Sequence, residues 1–362
     1  MKRVINIISE DDIIGYDALY DSFEKCKKGV RWKGTTAYYT HHWPDEIERL
    51  ANELESGAYE ERKAKLFTVY EPKVREIMSI HFRDRIYQRS LSDNAIFPEV
   101  SKSFIPDNFA CQPDKGTEPA RDRLKEFLHR YYRKYGTDGY VLKIDIKGYY
   151  PNMDREKSIN ILGQYIGGNT YRRAEEILLN MPGENGYNPG SHIVQLVGIT
   201  VLDDVDHFIK EELRIKYYIR YMDDFILIHH DKEYLKYCLE RIIEKLAEIK
   251  MSVHPDKTFI QPITHTLTFL GFDYRLTDTG KVLIFVNPEK IKHAKRKIKR
   301  MVTLVQKGKK TKHSVDVHFK AYKACVRYGN SHNLIYRLNR WYESLWEGDN
   351  TWQTIKIQSS LN

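Results

Sequence analysis

The sequence has few cysteines, and they show none of the spacings that a metal or disulfide site needs. Cys26, Cys111, Cys238 and Cys325 stand far apart, and no C-x-x-C pair or Cys/His cluster occurs. This excludes a zinc-finger motif and gives no sign of a disulfide framework. We expect reduced thiols and a cytoplasmic location.

Long apolar runs are also missing. No apolar stretch reaches the roughly 18 residues that a transmembrane helix requires. The N-terminal "MKRVINIISEDD" becomes acidic too soon for a signal peptide. With 41% hydrophobic residues, the chain can still form a globular core. We therefore expect no membrane partner.

Acidic residues are scarce towards the C-terminus. Between Pro288 and Arg340, sixteen Lys and Arg residues stand against only Glu289 and Asp316, a net charge of +14. The whole chain carries +9, so the rest of it is net acidic. Positive charge confined to one region is typical of a nucleic-acid contact surface.

The apolar patterns predict an α+β fold. The spacing of Ile47, Leu50 and Leu54 predicts a helix that ends near Gly57. Further on, the order is strand, helix, helix, strand–turn–strand, helix and strand, with "VLKIDI" and "YYIRYMDDFILI" as the strand segments. This order predicts a mainly antiparallel sheet with helices on one face.

Three aspartates are the candidate functional residues. Asp223 and Asp224 interrupt two apolar runs, and Asp145 ends the other acid-bearing strand. Burying an unpaired carboxylate costs several kcal/mol, so the pair is solvated, paired with a cation, or functional. If the strands are neighbours, the three acids converge. They would then suit two Mg²⁺ ions about 3.5–4 Å apart, which could align an attack by a 3′-hydroxyl on a phosphate.

A set of sequence blocks resembles the reverse transcriptase palm. The blocks are "YVLKIDIKGYYPNMD", "PGSHIVQ", "YIRYMDDFILI", "HPDKT" and "FLGF". Upstream, "VYEPKVREIMSIHFRDRIYQRSL" and "FIPDNFACQPDKGTEPARDRL" resemble the fingers blocks of prokaryotic retroelement enzymes. The resemblance implies a right-hand polymerase with four parts: an N-terminal helical extension (1–65), fingers (66–138), a palm (139–287, with an inserted helical segment at about 155–190) and a basic α-helical thumb (288–362).

The same resemblance assigns the site residues. Asp145 and Asp223 match the principal metal ligands, joined by the carbonyl of Ile146, and Asp224 is either a further ligand or a support. The metals are two Mg²⁺ ions, with Mn²⁺ as a substitute. Tyr150 matches the aromatic gate that excludes a 2′-hydroxyl and so selects dNTPs. The other nucleotide-contacting positions are Lys73 and Arg75 (triphosphate), Gly190 (close backbone approach), Gln195 (near the template base) and Lys257 (general acid).

Nucleic-acid contacts are implied in the C-terminal third. Residues Phe269, Leu270 and Gly271 resemble the primer grip. The basic helix after Pro288 would contact phosphates without reading sequence, through Lys292, Lys295, Arg296, Lys299 and Arg300. The expected partners are a structured or non-coding RNA template, a DNA or RNA primer, dNTPs and, as in some relatives, an accessory protein.

The resemblance implies an RNA-directed DNA polymerase of diversity-generating retroelements or of antiviral defence (the abortive-infection and unknown groups). Diversity-generating enzymes usually have Ser-Gln where this chain has Val194–Gln195, which favours the defence group. Two alternatives stay open: template-independent or protein-primed DNA synthesis, and a catalytically silent RNA-binding assembly protein.

Overall fold

A computed structural model describes residues 8–70, 74–183, 185–188 and 190–347. The chain divides into two compact units. The first runs to Arg123 and continues over Tyr140–Ile260, and the second contains Leu124–Gly139 and the residues from Gln261 onward. Helices alternate with antiparallel sheets, which confirms the α+β fold class. The division into extension, fingers, palm and thumb stays a prediction, and its boundaries differ from those of the two units.

Four helices open the first unit and bury their apolar faces. Ile47, Leu50 and Leu54 are buried on the last of these helices, as their spacing predicts, and Gly57 follows with a φ of 74°. The four helices are α1 (Asp11–Ile14), α2 (Tyr16–Cys26), α3 (Gly34–His41) and α4 (Trp43–Glu55).

A two-stranded antiparallel sheet and a helical segment come next. The strands pair from Lys65 opposite Ser79 to Val69 opposite Arg75. A π-helical turn, Ser92–Ile96, joins the two helices that follow them. The elements are β1 (Lys65–Val69), β2 (Arg75–Ser79), α5 (Phe82–Leu91), α6 (Phe97–Val100) and α7 (Thr117–Tyr135), whose later turns belong to the second unit.

The central sheet has four strands in the order β4-β5-β3-β6. Its β3/β5 and β4/β5 pairs are antiparallel. A π-helical turn, Phe208–Glu212, precedes β4, and a 3₁₀ turn, Pro255–Lys257, precedes β6. In chain order the elements are β3 (Tyr140–Asp145), α8 (Arg155–Leu162), α9 (Gly168–Leu179), α10 (His192–Val201), α11 (Asp203–His207), β4 (Tyr217–Tyr221), β5 (Asp224–His229), α12 (Lys232–Glu248) and β6 (Phe259–Pro262).

Burial explains why these segments adopt these elements. The middle of β5 is a continuous buried run, as expected for a strand covered on both faces. Helix α12 is capped at its N-terminus by Asp231, whose carboxylate accepts the Tyr234 N–H at 3.0 Å. Its apolar stripe, including Leu235 and Ile242, is buried. Apolar residues therefore fill the middle of β5, and its two ends carry the polar residues Asp224 and His229.

The second unit combines a three-stranded antiparallel sheet with helices. Its elements are β7 (Leu267–Phe269), β8 (Phe272–Leu276), β9 (Val282–Val286), α13 (Pro288–Gln306), α14 (Lys312–Val326) and α15 (His332–Ser344). Apolar residues of α13, including Ile298 and Val302, are buried. Among the described residues of the whole chain, no helix has the length and apolar character needed to cross a membrane.

Candidate active site

Three aspartates lie at the same end of the central sheet. Asp145, the last residue of β3, lies directly opposite Asp224, the first residue of β5. Asp223 precedes Asp224 in the two-residue turn between β4 and β5, where Met222 has a φ of 54°. The Ile146 N–H donates to the Asp223 carbonyl at 3.3 Å. The strands that carry the acids are thus neighbours, and the residue in register with Asp145 is Asp224.

Two lysines neutralise part of this negative charge. The Lys257 ammonium lies 2.8 Å from Asp145 Oδ1, and the Lys143 ammonium lies 3.2 Å from Asp224 Oδ2. The 3₁₀ turn brings Lys257 there, since the His254 N–H at its start donates to the Asp145 carbonyl at 2.7 Å. The structure therefore places Lys257 beside Asp145, and its role as general acid stays a prediction.

The charged form of the Asp224 carboxyl is destabilised by its surroundings. Its Oδ1 atom is buried and has no hydrogen-bond partner among the described residues. Burial raises the pKa of Asp224 to about 6, and the charges of Asp223 and Asp145 add to this effect while Lys143 opposes it. An unsatisfied oxygen beside like charges is a position that a cation would stabilise.

The donor chemistry fits a hard divalent ion, because carboxylate and carbonyl oxygens are the ligands that Mg²⁺ prefers. As placed, the described His, Cys, Asp and Glu side chains include no group of three that could hold a metal. The Oδ1 atom of Asp224 could bind an ion without displacing Lys143, which contacts the Oδ2 atom.

Tyr150 lies between the aspartate turn and helix α10. Its hydroxyl is 3.9 Å from Met222 Sδ. A Cβ atom at Gly198 would come within 2.9 Å of the same hydroxyl, so glycine makes room for the phenol. The Tyr149 hydroxyl donates to the Gly198 carbonyl. Burial raises the pKa of Tyr150, so the ring stays neutral. The predicted gate is therefore held next to the turn that carries Asp223.

Gln195 contacts a residue that sequence reasoning missed. Cys111 Sγ lies 3.7 Å from Gln195 Oε1, and burial raises the pKa of the thiol to about 11. The segment before Cys111 runs beside β4: the Phe109 N–H donates to the Arg220 carbonyl, and the Arg220 N–H donates to the Asp107 carbonyl, both at 3.0 Å. The block "FACQ" was visible in the sequence, but its contact with α10 was not.

Of the remaining predicted nucleotide-contacting residues, only Gly190 is fully described in the structure. Gly190 has a φ of 155°, and a Cβ atom there would lie 2.1 Å from the Met78 carbonyl oxygen. The close approach predicted at Gly190 is therefore made to β2 of the same chain. Lys73 lies outside the described residues. Arg75 opens β2, and only its backbone is described.

The predicted primer-grip and phosphate-contacting residues lie in the second unit. Leu270 and Gly271 form the turn between β7 and β8, with φ angles of 45° and 88°, as a type I′ hairpin requires. The predicted basic side chains all lie on α13. Lys295 is half-buried over the Trp341 ring at 4.9 Å, and the other four are exposed: Lys292, Arg296, Lys299 and Arg300.

Sequence reasoning also missed Arg220. This arginine lies in β4, two residues before Met222, and is fully buried. It forms a bidentate ion pair with Asp206, with Nε and Nη2 at 2.7 and 2.6 Å from the two carboxylate oxygens. The signal available in the sequence was a charged residue inside an otherwise apolar strand, since such a residue needs a buried partner.

The family model described as reverse transcriptase (RNA-dependent DNA polymerase) matches residues 63–274, more than half of the 362-residue chain. No curated protein matches it.

Among solved structures, apo telomerase from Candida tropicalis truncated from the C-terminal domain is similar, with a TM-score of 0.44, 16% identity, and coverage of 60% of this chain and 54% of that one. Apo telomerase from the same organism gives 0.44, 14%, 67% and 53%. The chain spans about half the length of both. On the family match, the chain belongs to the reverse transcriptase (RNA-dependent DNA polymerase) family.

Proposed function

We propose that this protein is an RNA-directed DNA polymerase that extends a primer with dNTPs. The observation that carries the proposal is the register of β3 and β5, in which Asp145 faces Asp224 and Asp223 adjoins them in the turn. Membership of the reverse transcriptase family supports the same activity. Three acids gathered at a strand end repel one another and cost stability unless a cation neutralises them, as a bound metal ion would.

The residues proposed to hold two Mg²⁺ ions, or Mn²⁺ in their place, are Asp145, Asp223, Asp224 and the Ile146 carbonyl. When bound, the ions would supply Lewis-acid activation of the primer hydroxyl and charge neutralisation on the triphosphate. The orphaned Oδ1 of Asp224 supports this assignment. Lys257, once released from Asp145, would donate a proton to the departing pyrophosphate.

The nucleotide is proposed to lie against Tyr150, whose ring would exclude a 2′-hydroxyl. Packing against Gly198 supports this role, because a gate works only if its ring cannot move aside. Gln195 would border the base, and Gly190 would let the backbone approach the nucleotide closely. Lys73 and Arg75 would bind the triphosphate. These roles rest on the resemblance of the sequence blocks.

Nucleic acid is proposed to contact the second unit. The I′ turn at Phe269, Leu270 and Gly271 would hold the primer end. The exposed basic residues of α13 would bind backbone phosphates, so affinity should fall steeply with salt. The template is proposed to be a structured or non-coding RNA, and an accessory protein is a further proposed partner.

The biological setting is proposed to be antiviral defence in the cytoplasm, with a diversity-generating retroelement as the second candidate. Val194 before Gln195 favours the first setting, since a Ser-Gln pair usually marks the second.

The test is DNA synthesis by the purified protein with its co-purifying RNA, labelled dNTPs and Mg²⁺. Matched reactions use RNase-treated protein and the variant Asp223→Asn. The expected product requires both RNA and Asp223. Product that survives RNase would replace the proposal with template-independent or protein-primed synthesis, and no product under any condition would favour a silent RNA-binding protein. Sequencing the bound RNA would distinguish the two biological settings.

A further inference from the structure

Arg220 makes more contacts than an ion pair needs. Beyond its two bonds to Asp206, Nη1 donates to the Met222 carbonyl and Nη2 donates to the Ile199 carbonyl, both at 3.1 Å. Asp206 is itself fully buried and accepts the Tyr218 hydroxyl at 2.6 Å. Burial alone would lower the pKa of Arg220, but Asp206 raises it, so the guanidinium stays charged.

Both carbonyls belong to segments that approach the Tyr150 hydroxyl. Met222 is the first residue of the turn that carries Asp223, and its Sδ atom is the one near the Tyr150 hydroxyl. Ile199 follows Gly198, the residue of α10 against which that phenol packs. One rigid, planar group thus fixes the aspartate turn and the helix surface behind the gate relative to each other.

We propose that Arg220, oriented by Asp206, is a positioning residue that sets both the aspartate turn and the Tyr150 gate. It therefore couples the rate of nucleotide addition to discrimination between deoxyribose and ribose. The proposal rests on the polymerase function proposed above. Arg220 itself is fully buried, so it presents no atom to a substrate from solvent and would act through the residues that it contacts.

A purely stabilising role does not account for this arrangement. Replacing a buried ion pair by packed apolar residues is often neutral or stabilising, so such pairs are weak evidence for stability. The geometry also requires arginine in particular. A guanidinium presents five donors in a fixed plane, whereas a lysine ammonium presents three from one atom, fewer than the four hydrogen bonds that Arg220 makes to Asp206, Met222 and Ile199.

The first variant is Arg220→Lys, which keeps the charge and removes the planar donor set. The matched control is Arg83→Lys, because Arg83 is also buried and paired, with Glu53 at 2.5 Å, and its described ion pairs are to Glu53 and Asp84 and not to the turn. A double variant, Arg220→Leu with Asp206→Leu, removes both charges together and remains informative where Arg220→Lys does not fold.

The decisive readout is the ratio of kcat/KM for a dNTP to that for the matching rNTP, because this ratio does not depend on the fraction of folded enzyme. For Arg220→Lys we expect kcat for dNTPs to fall about 100-fold and the ratio to fall about tenfold, as for a misplacement of about 1 Å at the reacting centre. The double variant should lower the ratio similarly, and Arg83→Lys should leave it unchanged.

Hydrogen exchange gives a second readout that needs neither metal nor nucleotide. Amides of Met222, Asp223 and Asp224 should exchange faster in Arg220→Lys than in wild type, while those of α12 should not. A folded Arg220 variant with the wild-type ratio and wild-type exchange at the turn would overturn the proposal. Loss of the proposed function would appear differently, as wild-type protein without RNA-dependent synthesis, and the exchange result would still decide the role of Arg220.

Discussion

Two ion pairs, one beside the candidate site and one within it, differ in their exposure to solvent and in their number of hydrogen-bond partners. Arg220 and Asp206 are both 0% exposed, and the pair shares its donors and acceptors with Tyr218 and two backbone carbonyls. Lys257 and Asp145 are 45% and 19% exposed and are joined by one contact. The first pair has no access to water, whereas the second can separate and be resolvated.

This difference distinguishes a structural ion pair from one that can take part in catalysis. Removing one partner of a buried pair leaves an uncompensated charge, at a cost of about 3–5 kcal/mol. An exposed pair contributes only about 0–1 kcal/mol, because water screens it. We therefore expect the Arg220 pair to govern folding and geometry, and the Lys257 pair to govern chemistry with little effect on stability.

The largest effect should come from Asp206→Ala. Arg220 would remain buried without its counter-ion, and we expect the free energy of unfolding to fall by about 3–5 kcal/mol. Urea unfolding followed by circular dichroism measures this loss. A loss below about 1 kcal/mol would show that water reaches Arg220, and the contrast between the two pairs would fail.

Lys257→Met should lower catalysis and leave stability almost unchanged. The free energy of unfolding should change by less than about 1 kcal/mol. If Lys257 is the general acid, kcat should fall about 100-fold while KM for the dNTP changes little. Steady-state kinetics on an RNA template measure both values. An unchanged kcat would remove Lys257 from the chemistry and leave it as a surface ion pair.

Tyr218→Phe tests one hydrogen bond of the buried ion pair. Asp206 would lose one charge-assisted hydrogen bond, and we expect a loss of about 1.5–2 kcal/mol in the free energy of unfolding. Tyr165→Phe is the matched control, since the Tyr165 hydroxyl donates to buried Asp203 at 2.8 Å. Both variants should lose similar stability. A much smaller loss for Tyr218→Phe would mean that Arg220 alone satisfies Asp206.

The smallest effect is expected at Glu61, a carboxyl whose hydrogen-bond partner is a neutral amide and not a cation. Glu61 accepts the Gln88 side-chain amide at 2.6 Å, and burial, reinforced by the charge of Asp84, raises the pKa of Glu61 to about 7 from 4.5. Because the folded state holds this proton more tightly, the associated stability is complete below pH 4.5 and is lost as pH rises through 7.

Glu61→Gln should remove this pH dependence. We expect the variant to gain about 1 kcal/mol over wild type between pH 4.5 and 8, an amount reduced by solvent screening of the partly exposed carboxyl. Thermal unfolding at both pH values measures the difference. A wild-type stability that rises over the same range, unchanged by the substitution, would contradict the assignment.

Local patterns in the sequence correctly predicted much of the fold. The apolar spacing around Leu50 gave α4, the alternation around Asp145 gave β3, and the Asp-Asp pair between apolar runs gave a tight turn. These features depend on periods of two to four residues, which the chain displays directly. The order of the reverse transcriptase blocks identified the family for the same reason, since it is read along the chain.

The sequence by itself determined the three acids, the helix and strand periods, the basic C-terminal region and the family. Only the tertiary structure decided which residues face one another: Asp224 opposite Asp145, Lys257 on Asp145 from 112 positions away, and Arg220 on Asp206 from 14 positions away. The physical reason is that burial decides these pairings. A charge inside a packed core must find its partner wherever the fold brings one, and no local pattern records that choice.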